Sequence, residues 1–210
     1  MAVQRDFGIP TTRIEALTDG IFSFAMTILV LDFSVALISK EVAHGELIPT
    51  LVKLLPHLYG YLLSFFVLGM LWSGHRIEFH TIDRSDGALV LLNTAYLVFI
   101  TFIPFLTVLI GKFFLAPIPL LLYSLNFLLV LVCRAATWYY ATRGHRLVAK
   151  NMSDELISAN WKVIKNAIVM VTLAIMASYF SPLAAYVIFG LMFIFYVVTI
   201  IRGTAGLPAK

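Results

Sequence analysis

The chain is poor in charge and nearly devoid of cysteine. Asp, Glu, Lys and Arg make up 12% of its 210 residues, against about 25% in a soluble domain. Apolar residues reach 61%, where about 45–50% is usual. So little charge excludes a disordered protein, a nucleic-acid-binding domain and an ordinary cytosolic enzyme. The lone cysteine, Cys133, excludes a disulfide framework within the chain. No phosphate-binding glycine loop and no nucleophile–base pair is visible, so no catalysis, cofactor or resident metal is expected. Residues 1–19 hold Arg5, Asp6, Arg13, Glu15 and Asp19 without a short apolar core, so no signal peptide is expected.

The chain is instead filled with long uncharged runs. Gly20–Leu31 contains no Asp, Glu, Lys or Arg, and apolar character resumes after Asp32 as far as Ile38. Leu54–Gly74, Gly87–Gly111 and Phe113–Cys133 are equally clean, as is Asn166–Ile201. As one helix that last run would be about 54 Å long, too long for a single crossing of a core about 30 Å thick. Ser181-Pro182 lies in its middle, and proline disfavours helix before it while suiting a helix's first turn. Breaking the run there predicts an all-α integral membrane protein in one domain over 1–210. Its six helices fall approximately at 13–38, 50–74, 86–110, 116–141, 160–180 and 182–202. The spans after the first read as uniformly apolar, and Ser153-Asp154-Glu155 reads as a cap leading into the fifth.

The formal charge of +4 is read as topology rather than as a nucleic-acid surface. Eleven Lys and Arg residues fall on one side of the six-helix scheme and three, Lys40, Lys53 and Lys112, on the other. The positive-inside rule then predicts a multi-pass protein of the cell membrane, in contact with lipid, with both termini cytoplasmic.

The first helix differs from the others. Within it, Arg13, Glu15, Thr18 and Asp19 precede a stretch with Ser23 and Thr27, and Asp32 follows that stretch. At about 100° per residue, Gly20, Phe24, Thr27, Ile28, Leu31 and Val35 form one stripe, with Asp19 outside it and Asp32 beside its outer end. Two readings stand. The stripe is packing surface, with Thr27 bonded to its own backbone. Alternatively it lines a pore closed by apolar rings, which requires several copies of the helix around an axis.

The segment from Arg13 to Asp32 resembles the first helix of the transmembrane protein 175 family of potassium channels. Gly69-Met70-Leu71-Trp72-Ser73-Gly74-His75-Arg76, Asp83, Asn93 and Ile103-Pro104-Phe105-Leu106-Thr107 resemble the family too. The likeness is close over the first half and extends to the second in helix count. It implies a six-helix subunit with the first helix at the centre of the assembly. Animal members carry two such repeats, whereas prokaryotic members carry one and form tetramers. A homotetramer permeable to potassium and other monovalent cations is therefore expected. The resemblance places the constriction at Phe24, Ile28 and Leu31 and a selectivity layer at Thr27. Asp32 near the outer mouth would concentrate cations by attraction.

Arg13, Thr18 and Asp19 match the family's signature, with two departures. The usual Phe-Ser-Asp is Leu17-Thr18-Asp19, and Phe24 stands where Ile or Leu is common. A ring of four phenylalanines would narrow the path and offer π faces to a cation. Asp19 is expected to act structurally, accepting hydrogen bonds from Trp72, His75 and Arg76 in the loop after the second helix.

Other features are expected to be inert. Tyr59-Gly60-Tyr61 lacks the Thr-Val-Gly that builds a carbonyl filter. His75 and His80 are not on one helical face, and His57 is expected at the interface. Arg134 in the fourth helix is either a buried ion-pair partner or snorkels inward, and snorkelling is the favoured reading. A secondary transporter is the main rival, but the first helix lacks a midplane Gly or Pro break. A proton-permeable leak and an inert scaffold are the remaining options.

Overall fold

The computed structural model describes residues 10–32 and 47–205, and every named segment within them is helical. Helix α1 spans Thr11–Ile28 and continues as a 3-10 turn, Leu29–Asp32. The remaining α-helices are α2 (Leu47–Lys53), α3 (Leu55–Phe79), α4 (Gly87–Lys112), α5 (Pro117–Thr142), α6 (Asp154–Phe180) and α7 (Pro182–Ala205). Val35 and Lys40 lie outside the described residues, as does the side chain of Asp32.

Local chemistry sets the helix starts. Pro56 sits in the first turn of α3, where its missing N–H is no loss. The Asp86 carboxylate caps α4 by accepting the Leu89 N–H at 3.0 Å. Ser153 accepts the Leu156 N–H at 3.4 Å, so α6 begins several residues before its apolar run. Ser181 is extended, and Pro182 opens α7. Helix α3 runs on through His75, Arg76 and Glu78 to Phe79, past Gly74 where the uncharged stretch stops. His75 and Arg76 therefore sit on a helix and not in a loop.

Five helices are long and apolar enough to cross a membrane: Thr11–Leu31, Leu55–Phe79, Gly87–Lys112, Pro117–His145 and Asp154–Phe180. Pro182–Val198 is a shorter apolar helix. Sequential helices from α3 to α7 pack against one another, while α1 lies in contact with α3 and α4. Phe22, Ala25 and Leu29 of α1 join Val67 and Leu71 of α3 and Ile100 and Ile103 of α4 in the main core. Much of the outer surface is apolar, including Phe102, Leu129, Val169 and Phe195, as a lipid-facing surface requires.

A second, smaller core closes one end of the bundle. Ile14 meets Phe79, Ile82, Leu89, Ala141, Leu147 and Val148 there. The chain between α3 and α4 is stitched to the chain after α5, where Leu147 O accepts from the Asp83 and Arg84 N–H groups at 2.9 and 3.2 Å. The Tyr140 hydroxyl donates to Asp86 Oδ2 at 2.7 Å, and Arg146 Nε lies 3.7 Å from the same oxygen. This end carries Arg13, Arg76, Arg84, Arg143 and Arg146 and is called the basic end below.

The helices after the first are not uniformly apolar inside. Thr107 Oγ1 lies 2.6 Å from Ser64 Oγ, which donates to the Tyr123 hydroxyl at 3.2 Å. Arg134 does not snorkel. It is 7% exposed, and its Nε lies 2.8 Å from Glu78 Oε1. The expectation failed because the carboxylate partner lies on the last turn of α3, beyond the stretch read as helix.

Candidate functional site

Helix α1 has two faces of opposite character. Ile14, Thr18, Phe22, Ala25 and Leu29 recur at the three- and four-residue spacing of one helical face, and all are buried in the subunit. Gly20, Phe24, Thr27 and Leu31 lie on the other side and are exposed, with Ile28 half-buried at the boundary. Phe24 is 66% exposed and Leu31 67%. These large apolar side chains are thus left open by their own subunit, to lipid or to a second protein surface.

The Thr27 hydroxyl donates to Phe24 O at 2.9 Å, the backbone bond the packing reading anticipates. That bond uses the proton and leaves the oxygen's lone pairs to face outward. Beside the stripe, Phe24, Ile28 and Leu31 face Pro104, Phe105 and Val108 of α4 across an open apolar cavity of about 560 Å³.

The opposite edge of α1 is clamped at the basic end. Trp72 Nε1 donates to Asp19 Oδ1 at 2.8 Å. The Arg76 guanidinium lies 5.9 Å from the centre of the Trp72 ring, so it backs the tryptophan that bonds the carboxylate. Asn93 Nδ2 donates to Thr18 Oγ1 at 3.1 Å, and His75 Nε2 meets Asn93 Oδ1 at 2.9 Å. With the Asn93 amide nitrogen committed to Thr18, its oxygen is the acceptor, so Nε2 of His75 carries the proton. The imidazole is stacked on Phe79 at 4.1 Å and on Tyr96 at 5.6 Å. His75 therefore reaches α1 through Asn93 and does not bond Asp19 directly.

Arg13 is exposed on the first turn of α1. His80 is exposed while His75 is buried, so the two do not converge. Tyr59-Gly60-Tyr61 is helical, with Gly60 buried beside Thr107 of α4. Sequence reasoning missed Asn93's role as the link between His75 and Thr18. It also missed Glu78, whose charge beside a tryptophan- and histidine-bearing turn was the available signal.

The family model described as endosomal/lysosomal potassium channel TMEM175 matches residues 13–104. That stretch contains the α1 stripe and both arms of the clamp. A potassium channel of Chamaesiphon minutus is 31% identical over 152 residues, covering 71% of this chain and 74% of that protein. The chain belongs to the TMEM175 family. A potassium channel of Streptomyces collinus is 31% identical over 138 residues, covering 63% of this chain and 66% of its own length. The TMEM175 proton channel of Gallus gallus is 27% identical over 192 residues, which is 87% of this chain but 37% of that one. In fold, the chain matches the crystal structure of a TMEM175 homologue from Chamaesiphon minutus with a TM-score of 0.78 at 24% identity, over 90% of this chain and 97% of that one. Membership of the TMEM175 family and five membrane-length apolar helices make this a multi-pass membrane protein.

Proposed function

We propose that this protein is a potassium-permeable cation channel in which four copies of α1 surround a central pore. The observation that carries the reading is the exposed face of α1. Phe24, Thr27 and Leu31 project away from their own subunit, in a chain whose relatives are named potassium channels. A stripe that its own subunit leaves bare is completed by symmetry mates, and the homotetramer supplies them. Helix α7 is the sixth span, and the basic end with both termini faces the cytoplasm.

In this arrangement Phe24, Ile28 and Leu31 form stacked apolar layers over about 10 Å of pore. Dry apolar rings block ions without a polar plug, because an ion entering them loses its hydration. Opening widens and wets the layers. Between them the Thr27 hydroxyls offer oxygens to a partly dehydrated cation. A single hydroxyl layer replaces less of the hydration shell than a ladder of carbonyls does, so selectivity is modest. Asp32 at the outer mouth draws cations in, and the clamp on Thr18 and Asp19 fixes the tilt of α1.

Ion flux into liposomes reconstituted with the purified protein tests this reading. Fast, uncoupled, potential-driven potassium flux with unit currents in a planar bilayer is the expected result. Saturable exchange coupled to a gradient establishes a secondary transporter instead. A second reading, proton permeation, is favoured by relatives named proton channels. Reversal potentials under a pH gradient without potassium decide it.

A further inference from the structure

One buried ionisable cluster lies outside the stripe and its clamp. Glu78 and Arg134 are 2% and 7% exposed. Arg134 Nε and Asn160 Nδ2 both donate to Glu78 Oε1 at 2.8 Å. The three residues come from α3, α5 and α6, so a single carboxylate oxygen joins three helices. Gly74, one turn before Glu78, leaves the α3 backbone bare where the guanidinium lies. A Cβ there would stand 2.5 Å from Arg134 Nη1.

Stability alone does not account for this cluster. A buried ion pair contributes little beyond an apolar pair of the same volume, because both charges lose their hydration. What short charge-assisted bonds do supply is a fixed register between the helices that carry them. Ionisable side chains inside spanning helices also mark working elements more often than passive ones.

The end of α3 carries two sets of contacts, about 110° apart around the helix. Gly74 and Glu78 face α5 and α6. Trp72 and His75 face α1 and α4, holding Asp19 directly and Thr18 through Asn93. Any rotation or slide of this last turn moves both sets together. We propose that Glu78, Arg134 and Asn160 form a positioning element that ties the placement of α5 and α6 to that of α1. Through α3 it sets how readily the apolar layers open. The inference rests on the channel reading and adds to it a route by which the peripheral helices control the pore.

The test uses the full chain carrying Glu78→Leu with Arg134→Met, which removes both charges and keeps the volume. The double variant is expected to assemble at the wild-type mass. Its basal potassium flux is expected to change about fivefold or more, the lower end of typical coupling between sites. Its potassium-to-sodium reversal potential stays at the wild-type value, because no stripe residue is altered. In a Trp72→Phe background, which cuts the bond to Asp19, the same double variant has a clearly smaller effect, as residues acting in series are non-additive. Wild-type flux in the double variant, full additivity with Trp72→Phe, a shifted reversal potential, or failure to assemble would each overturn the proposal. Wild-type protein that carries no uncoupled flux overturns the channel reading, and this inference falls with it.

Discussion

Asn93 is the joint through which α3 and α4 hold α1, and its replacement by leucine isolates that joint. The two side chains have the same number of heavy atoms and the same branched outline, so no cavity arises. Two bonds go: the one Asn93 Nδ2 donates to Thr18 at 3.1 Å and the one Asn93 Oδ1 accepts from His75 at 2.9 Å. Thr18 is fully buried and His75 is 6% exposed, so water does not replace the lost partner. Each stranded polar group costs about 1–3 kcal/mol, giving a loss of about 2–6 kcal/mol for the pair. Thr18→Val strands only the Asn93 amide and costs about 1–3 kcal/mol. Combining the two variants costs less than their sum, because the second removes a partner already gone. Thermal unfolding of the detergent-solubilised complex, followed by size-exclusion chromatography, gives the order: wild type above Thr18→Val above Asn93→Leu. If Asn93→Leu melts with the wild type, the clamp does not hold α1 and the argument for its role fails.

Phe24→Ala removes the largest apolar side chain of the exposed stripe and is expected to raise basal ion leak in liposomes; unchanged conductance would remove Phe24 from the gate. Thr27→Val keeps the shape but deletes the hydroxyl, and is expected to lower the potassium-to-sodium permeability ratio read from bi-ionic reversal potentials. Gly74→Ala places a methyl group against the Arg134 guanidinium, and the overpacking should lower stability by about 1–3 kcal/mol, read as a lower melting temperature. Burial works to raise the Asp86 carboxyl, but the Leu89 N–H, the Tyr140 hydroxyl and Arg146 together hold it below its ordinary value. Its contribution to stability is therefore complete above the unfolded value and lost as pH falls through the lower, folded one. The melting difference between wild type and Asp86→Asn should stay constant from neutral pH and shrink only below about pH 4.

The helical architecture was legible because lipid imposes it. Uncharged runs of membrane length admit few alternatives to a helix, and Ser181-Pro182 marked the start of α7 through proline's own geometry. The stripe on α1 was legible for the same reason, since a 3.6-residue period separates its two faces without knowledge of the partner. Arg134 was misread because its counter-ion lies 56 residues earlier in the chain, on a turn whose polar residues look like a loop. The end of an uncharged run marks where lipid-compatible sequence stops, not where the helix stops, and Glu78 and His75 continue α3 with Arg134, Asn160 and Asn93 satisfying them. The Ser64–Thr107–Tyr123 contacts were hidden for a related reason. Single hydroxyls in apolar runs carry no signal until three helices bring them together. The small core at the basic end depends on the pairing of Ile82 with Val148, and neither short segment shows a period of its own.

In the proposed channel the bare face of α1 meets copies of itself around an axis. Cysteine placed at Phe24, in a Cys133→Ser background, tests it most directly in the native membrane under mild oxidation. Disulfide-linked dimers are expected from this position, none from a matched cysteine at exposed Phe180 on the far end of α6, and potassium flux is expected to be lost when the Phe24→Cys protein is oxidised. Labelling of that cysteine by a lipid-soluble reagent, with no cross-linking between subunits, would place the stripe against lipid and rule out a pore lined by α1.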